Sequence, residues 1–309
     1  MVALSLIAPP SLFSAIATLF VVLSIASGVC HWRARASQIE LRKQVDAWWI
    51  FLPVVSLAVC AYPIGPIILS ALIVALGLRE LALQLPSRAF ELWGESVCFW
   101  LIVQTISTTL SRAPLAFMVL FVCALSFDFI VLQRFRKRTR ANALHIISAT
   151  LVMGLSCVAL FPTLGLTASE QQSWLFYLLA LTAINDICQF VVGKRFGRHK
   201  IAPLSSPNKT WEGLLGGIAG SSVFSLVLGL HLSLASALHL AYLGLALAIV
   251  GFFGDLVFSN TKRWLGIKDF SQLIPGHGGI LDRVDSLVFT APALYLWLSY
   301  WFYSPFRID

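Results

Sequence analysis

The sequence predicts an all-α protein, a polytopic transmembrane helical bundle with about ten spans. The first observation behind this prediction is composition. The 309 residues have a mean hydropathy of +0.85 and only 12% are charged, against about 25% in a soluble domain. The second observation is a series of apolar runs that approach the roughly 20 residues a helix needs to cross a bilayer. The third is the one-sided placement of the basic residues.

The predicted spans follow one another along the chain. The second and third are separated by YPIGP at 62–66, whose two prolines and one glycine are typical of a tight turn. Residues 1–180 are predicted to be N-terminal membrane helices and residues 181–309 a C-terminal catalytic region, within one integral membrane unit. The spans are predicted at 10–30, 48–62, 64–78, 95–110, 114–133, 144–163, 174–193, 213–232, 237–258 and 284–303.

The basic residues orient this bundle. With the N-terminus outside and the spans alternating, all 22 Lys and Arg residues except Arg112 and Arg307 fall on the inside. Because cytoplasmic loops carry the excess of Lys and Arg, we expect a bacterial inner-membrane protein whose polar loops face the cytoplasm and contact anionic membrane lipids. The same bias explains the net charge of +8, so nucleic acid is not predicted as a partner.

Acidic residues are rare, and three aspartates lie within apolar segments. An acid at membrane depth is costly and marks a functional site by default. Asp128 has no motif around it and is interpreted as a structural ion-pair partner. Asp186 and Asp255 precede polar loops and are interpreted as functional, with pairing to a nearby Lys or Arg as the alternative. Three glutamates flank a short inside loop and are expected to be solvated, with the first able to reach the site: Glu80, Glu91 and Glu95.

The six cysteines are widely spaced, lie in or beside apolar segments and form no CxxC pair. Cysteine in such places behaves as a small apolar residue. Neither a disulfide framework nor a zinc site is predicted.

The last inside loop reads SNTKRWLGIKDFSQLIPGHGGILDRVDS over residues 259–286. Its Lys and Arg side chains suit phosphate groups, and a serine one helical turn before the first lysine shares its face. The glycines permit successive backbone N–H groups to face an anion. The candidate phosphate-binding residues are Ser259, Lys262, Arg263, Lys268, His277, Gly278 and Gly279.

The same loop ends with Asp282 and Asp285, three residues apart. If the last helix begins near Leu281, both carboxylates project from one face of its first turn. Paired carboxylates beside phosphate-binding cations suit Mg²⁺, which usually takes one or two carboxylates plus substrate phosphates. Asp255 from the preceding helix is able to join them, so a second cation could share the phosphates.

A second basic loop, over residues 185–217, contains SPNKTWEG. Ser206 and Pro207 favour a turn that feeds a helix, and Lys209 is placed to meet phosphate. The following glycines, Gly213, Gly216 and Gly217, allow close helix packing. Because GxSxG, HExxH and GxxxxGK[ST] are absent from the sequence, the residue types favour phosphoryl or nucleotidyl transfer by positioning and charge neutralisation.

Both loops resemble the signatures of one family. The runs ND…GKRFGR…SPNKTWEG and SNTKR…KD…PGHGGILDRVD are similar to the cytoplasmic motifs of the phosphatidate cytidylyltransferases, also called CDP-diacylglycerol synthases. The resemblance covers about residues 185–286, roughly a third of the chain, and the N-terminal 180 residues match only in hydropathy. Many members have Ala-Tyr where this chain has Cys188-Gln189, which indicates a variant subgroup.

The resemblance implies that CTP and phosphatidate give CDP-diacylglycerol and pyrophosphate, with Mg²⁺, in phospholipid biosynthesis. It also implies an all-helical membrane bundle that is commonly a homodimer. The implied metal ligands are Asp255, Asp282 and Asp285. The implied catalytic set adds Lys262 and Arg263 to these. The implied substrate-binding set is Ser206, Lys209, Ser259, Lys268, His277, Gly278, Gly279, Arg283 and Asp186.

Two alternatives remain open from the sequence. One is a CTP-dependent lipid kinase or a cytidylyltransferase for another lipid phosphate, and product analysis separates these. The other is a transporter or scramblase for phosphorylated lipids, for which inverted repeats or helices broken near the midplane are expected. The acids at one face of the predicted membrane, rather than at its midplane, favour the enzyme.

Overall fold

A computed structural model describes residues 8–32, 39–84, 150–151, 154, 166–203, 205–273 and 278–303. Apart from one short β-hairpin, the regular structure of these residues is helical. The elements in chain order are α1 (Pro10–Trp32), α2 (Ile39–Cys60), α3 (Ile64–Ala82), α4 (Ala168–Phe196), β1 (Lys200–Ala202), β2 (Ser206–Thr210), α5 (Trp211–His231), α6 (Ala237–Leu265), α7 (Leu281–Val284) and α8 (Leu287–Tyr303).

Helices α1, α3, α4, α5 and α6 are each long and apolar enough to cross a membrane, which confirms the helical membrane class. The break at 62–66 falls where α2 ends and α3 begins, as the proline and glycine content indicates. The predicted spans 95–110 and 114–133, and most of 144–163, lie outside the described residues, as do Asp128, Glu91 and Glu95. The total of about ten spans therefore stays a prediction.

Local sequence explains where the central helices begin and end. Helix α4 starts with a capping box, because the Thr167 Oγ1 atom accepts from the Glu170 N–H (3.3 Å) and the Glu170 carboxylate accepts from the Thr167 N–H (2.8 Å). Helix α6 ends at Leu265, and the residue that follows, Gly266, has a φ of 75°. That left-handed conformation is the usual helix stop and favours glycine.

The β-hairpin between α4 and α5 was not predicted. Ser206 and Pro207 were expected in a turn, but they begin strand β2, and Ala202 pairs with Ser206. The turn closes earlier because the Ser205 N–H donates to the Ala202 carbonyl (3.2 Å). The segment leads directly into a helix, as expected. Thr210 caps α5 by accepting from the Gly213 N–H at 3.1 Å.

Helices α4, α5 and α6 pack closely through small residues. A Cβ atom built on Gly217 of α5 would lie 2.4 Å from the Gln189 Cγ atom of α4. Buried hydrogen bonds join the same three helices: the Ser221 hydroxyl donates to Asn185 Oδ1 (3.2 Å), and Asn185 Nδ2 donates to the Ala248 carbonyl (3.3 Å). The prediction that the α5 glycines permit close packing is confirmed.

We expect Gly217→Ala to lower the thermal unfolding midpoint of the detergent-solubilised protein. The added methyl group would overlap Gln189 and lie 2.9 Å from Asn185 Oδ1, and overpacking of this kind costs about 1–3 kcal/mol. The matched control is Gly28→Ala on α1, where an added Cβ meets nothing within 4 Å. Equal midpoints for the two variants would contradict the close packing.

The chain direction brings the functional segments to one end of the bundle. Helices α4 and α6 finish at this end, and the β-hairpin with α5 and the α6–α7 loop with α7 begin there. Direct contacts between Lys209 and Asp255, Lys262 and Asp282, and Asp186 and Ser286 show that these segments meet. The last turn of α3 also lies at this end, where Glu80 contacts the α6–α7 loop.

Candidate functional site

Three aspartates from different segments lie together at this end of the bundle. Asp186 comes from α4, Asp255 from α6 and Asp285 from the residue after α7, and their charges interact with one another. Ser286 links two of them, because its hydroxyl donates to Asp186 (3.1 Å) and its N–H donates to Asp285 (2.8 Å). We call this group the acid cluster. It joins two predicted metal ligands, Asp255 and Asp285, to Asp186 from the 185–217 segment.

A glycine allows the close approach that forms the acid cluster. A Cβ atom built on Gly254, one residue before Asp255, would lie 2.7 Å from the Asp285 carbonyl oxygen. Any larger residue at this position would push α6 away from the junction between α7 and α8. Asp285 itself is 6% exposed, so α6 helps to enclose it.

Lys209 brings a positive charge to the acid cluster from the β-hairpin. Its Nζ atom lies 2.6 Å from the Asp255 carboxylate, and its side chain is 11% exposed. The ammonium also lies 4.4 Å from the Phe252 ring centroid, a cation–π contact. Ser259 donates to the other Asp255 oxygen at 3.1 Å. The hairpin, which sequence periodicity did not reveal, is therefore the element that places Lys209.

Asp282 has different neighbours from Asp285. Its Oδ1 atom forms a 2.7 Å ion pair with Lys262, and the two side chains are 4% and 11% exposed. Its Oδ2 atom accepts from the N–H groups of Gly279 (2.9 Å) and Phe270 (3.1 Å). Asp282 thus binds the loop that precedes α7, whereas Asp285, beyond the end of this four-residue helix, joins the acid cluster.

The remaining candidate residues lie around this centre. Arg263 is exposed, and its guanidinium donates to the carbonyls of Ser205 (3.2 Å) and Ile267 (3.3 Å), so it holds the hairpin turn against α6. Ser206 opens strand β2, Gly278 has a φ of 80°, and Lys268 and Arg283 are exposed. His277 lies outside the described residues. No observation tests the roles predicted for these residues.

The acid cluster suits a divalent cation completed by substrate oxygens. Across the described residues, no group of three Asp, Glu, His or Cys side chains is arranged to hold a metal ion by itself. Mg²⁺, however, usually binds one or two carboxylates and takes its other ligands from phosphates and water. Asp255 and Asp285 provide such carboxylates, with Lys209 as a neighbouring positive charge. The identity and number of the cations stay a prediction.

Glu80 was expected to be solvated, with contact to the site as the alternative, and the expectation of a solvated residue is wrong. The residue is 1% exposed and its carboxylate accepts a hydrogen bond from the Ser271 hydroxyl at 2.6 Å. The sequence shows only an acid at the end of an apolar helix, next to Arg79. Its partners lie about 190 to 200 residues later in the chain, and spacing within a single sequence does not reveal contacts at that separation.

Sequence comparison assigns this membrane bundle to a known class of transferases. The sequence model of the cytidylyltransferase family matches residues 42–301. The chain belongs to the cytidylyltransferase family, which is a family of nucleotidyltransferases. The match extends far beyond the two motif loops and includes most of α2 and all of α3.

Individual relatives match a shorter part of the chain. The uncharacterized protein YnbB of Escherichia coli is 48% identical over 124 residues, which are 40% of this chain and 42% of the relative. The phosphatidate cytidylyltransferase of Staphylococcus epidermidis is 40% identical over 129 residues, 41% of this chain and 50% of the relative. The phosphatidate cytidylyltransferase of Brucella suis is 42% identical over 120 residues, 39% of this chain and 44% of the relative. These matches span half or less of each relative's length.

Proposed function

We propose that this protein transfers a cytidylyl group from CTP to phosphatidate and forms CDP-diacylglycerol and pyrophosphate. The observation that carries the proposal is the acid cluster with Lys209, beside the buried Asp282–Lys262 pair. Carboxylates and lysines in this combination suit a metal-bound nucleoside triphosphate and a lipid phosphate. The names of the Staphylococcus and Brucella relatives support phosphatidate as the acceptor.

The proposed reaction is a single displacement at phosphorus. A phosphate oxygen of phosphatidate attacks the α-phosphorus of CTP and forms a new P–O bond. The bond from the α-phosphorus to the bridging oxygen of the β-phosphate breaks, and pyrophosphate leaves with that electron pair. Because the attacking phosphate is already an anion near neutral pH, no side chain needs to remove a proton.

The protein's part in this reaction is positioning and charge neutralisation. Lys209 and Lys262 lie where they would contact phosphate oxygens after exchange of their present carboxylate partners. Asp255 and Asp285 would hold Mg²⁺, whose charge would offset that of the triphosphate. The exposed Lys268 and Arg283 would guide the anionic substrates towards the site.

The distribution of charge supports a cytoplasmic site. The lysines and arginines of both motif loops fall on the side that the positive-inside rule makes cytoplasmic, where CTP is available. Asp186 and Asp255 lie about 15 Å along their helices from the ends of α4 and α6. With these ends on the cytoplasmic side, a lipid phosphate in that leaflet would approach the site without leaving the bilayer. We accordingly propose a bacterial inner-membrane location, and we expect a homodimer from the family resemblance.

The decisive experiment uses CTP labelled either at the α-phosphate or at the γ-phosphate. With purified protein, Mg²⁺ and phosphatidate in detergent micelles, we expect the α-label to enter the lipid and the γ-label to appear in pyrophosphate. A lipid kinase would instead place the γ-label in the lipid and leave the α-label in the released CDP. Folded protein that transfers neither label to phosphatidate in any detergent or lipid mixture would contradict the proposal.

A cytidylyltransferase for another lipid phosphate is the second candidate. Cys188 and Gln189 depart from the family pattern, and within the described residues the Gln189 Nε2 atom is buried without a hydrogen-bond partner. The 48% identical relative from Escherichia coli is uncharacterized. The same labelled assay with lysophosphatidate and polyprenyl phosphate decides between acceptors. Movement of lipid in vesicles without CTP would instead favour a transporter.

A further inference from the structure

The loop between α6 and α7 is held from two sides by buried carboxylates. Asp282 accepts hydrogen bonds from the N–H groups of Phe270 and Gly279. Glu80, from the last turn of α3, accepts from the Ser271 hydroxyl (2.6 Å) and from the N–H groups of Ile280 (2.8 Å) and Leu281 (3.0 Å). Each carboxylate therefore joins residue 270 or 271, which precedes the glycine-rich sequence, to residues between 279 and 281.

The contacts of α3 with this loop are specific. A Cβ atom built on Gly279 would lie 2.5 Å from the Glu80 carboxylate, so the glycine permits the carboxylate to reach the backbone. Gln84, one turn after Glu80, donates to the Phe270 carbonyl at 3.0 Å. At Gly77, one turn before Glu80, α3 packs against the Leu281 side chain. Two positions of α3 and Gln84, two residues after its end, thus contact the loop or the start of α7.

The burial of Glu80 is not explained by an ordinary ion pair. At 1% exposure its carboxylate has lost its water, and in the described part of the chain its partners are one hydroxyl and two backbone N–H groups. Hydrogen bonds to a buried charge are strong, and losing the charge leaves the donors unsatisfied. An acid buried here therefore fixes the position of residues 280 and 281 relative to Ser271.

We propose that Glu80 is a positioning residue for the nucleotide, which fixes the backbone of Ile280 and Leu281 and thereby places Asp282 and Asp285 for the triphosphate of CTP. The inference rests on the proposed function. Glu80 itself does not contact the acid cluster. Instead it fixes the backbone that immediately precedes Asp282 and Asp285, so its effect is transmitted through that backbone.

The test variant is Glu80→Gln, which keeps size and removes the charge. In either orientation of the amide, its NH₂ group faces the N–H of Ile280 or of Leu281, and one backbone bond is lost. We expect the KM for CTP to rise at least about tenfold, since small misplacements of positioning groups have effects of this size. The KM for the lipid phosphate is expected to change less than about threefold. General loosening would lower the amount of active protein without changing either KM.

The matched control is Glu170→Gln. Glu170 is an exposed carboxylate in the capping box of α4, at the opposite end of that helix from Asp186. The same chemical change there is expected to leave both KM values unchanged. Ser271→Ala provides a milder change in the same contact, with an expected rise in the KM for CTP of about threefold. If Glu80→Gln does not fold, Ser271→Ala decides the question.

A second measurement does not depend on catalysis. Amide hydrogen exchange, followed by mass spectrometry on the substrate-free protein, is expected to be faster at residues 278–285 in Glu80→Gln and unchanged in α4 and α5. Unchanged exchange at 278–285, or an unchanged KM for CTP in an active variant, would overturn the inference. If the wild type shows no CTP-dependent activity, the proposed function fails and the exchange result alone decides whether Glu80 anchors the turn.

Discussion

Asp285→Asn is expected to abolish CDP-lipid formation, with a loss in kcat/KM of about 10²- to 10³-fold or more. Asp285 is 6% exposed, and its charge interacts with those of Asp186 and Asp255. A neutral amide would weaken the binding of a divalent cation at this place. The phosphates of CTP would then lack the positive charge of that cation. Asparagine has nearly the same shape, so the helix packing around residue 285 is expected to persist.

The measurement is the initial rate of labelled CDP-lipid formation over a range of Mg²⁺ concentrations. Asp255→Asn is expected to have a similar effect, because Asp255 belongs to the same cluster. The control is Asp46→Asn, an exposed aspartate on α2 outside the cluster, which is expected to retain wild-type activity. Full activity in Asp285→Asn, with unchanged Mg²⁺ dependence, would rule out Asp285 as a metal ligand.

Asp282→Asn is expected to abolish turnover and also to destabilise the protein, which distinguishes it from Asp285→Asn. The change leaves the 11% exposed Lys262 ammonium without its carboxylate partner. Removing one partner of a buried ion pair typically costs about 3–5 kcal/mol. The amide would also weaken the bonds to the N–H groups of Phe270 and Gly279, so the loop before α7 would lose one of its two anchors.

Thermal unfolding in detergent, without CTP or Mg²⁺, separates these roles. We expect the midpoint to fall for Asp282→Asn and for Lys262→Met. The double variant should be less destabilised than the sum of the two single changes, since each change removes the same pair. A wild-type midpoint for Asp282→Asn would show that the pair does not stabilise the fold. Full activity would remove Asp282 from both the metal-binding and the anchoring roles.

Hydropathy was sufficient to predict the five helices of the described residues that are long and apolar enough to cross a membrane. A bilayer demands about 20 apolar residues from any helix that crosses it, and this requirement acts on local sequence. Helices α1, α3, α4, α5 and α6 therefore lie where the apolar runs predict them. The two polar loops were recognised in the same way, because charged and glycine-rich segments between apolar runs are conspicuous. The alternating direction of the spans then predicts that both loops face one side.

Contacts between distant segments were not predictable in this way. Asp282 and Asp285 were expected to act as a pair because they are three residues apart. Their partners differ instead: the first carboxylate pairs with Lys262 and the second joins the acid cluster. The burial of Glu80 depends on donors 191 to 201 residues away in the chain, and no local pattern encodes that proximity.

The sequence by itself determined the class of protein, the positions of five apolar helices and the two loops that match the family motifs, because the bilayer and the motifs act through local residue types. The tertiary structure decided which carboxylates meet. It placed Asp186, Asp255 and Asp285 together, assigned Asp282 to Lys262 and brought Glu80 to the glycine-rich turn. These pairings depend on how closely α3, α6 and α7 approach, which is set by packing at glycines such as Gly254 and Gly279.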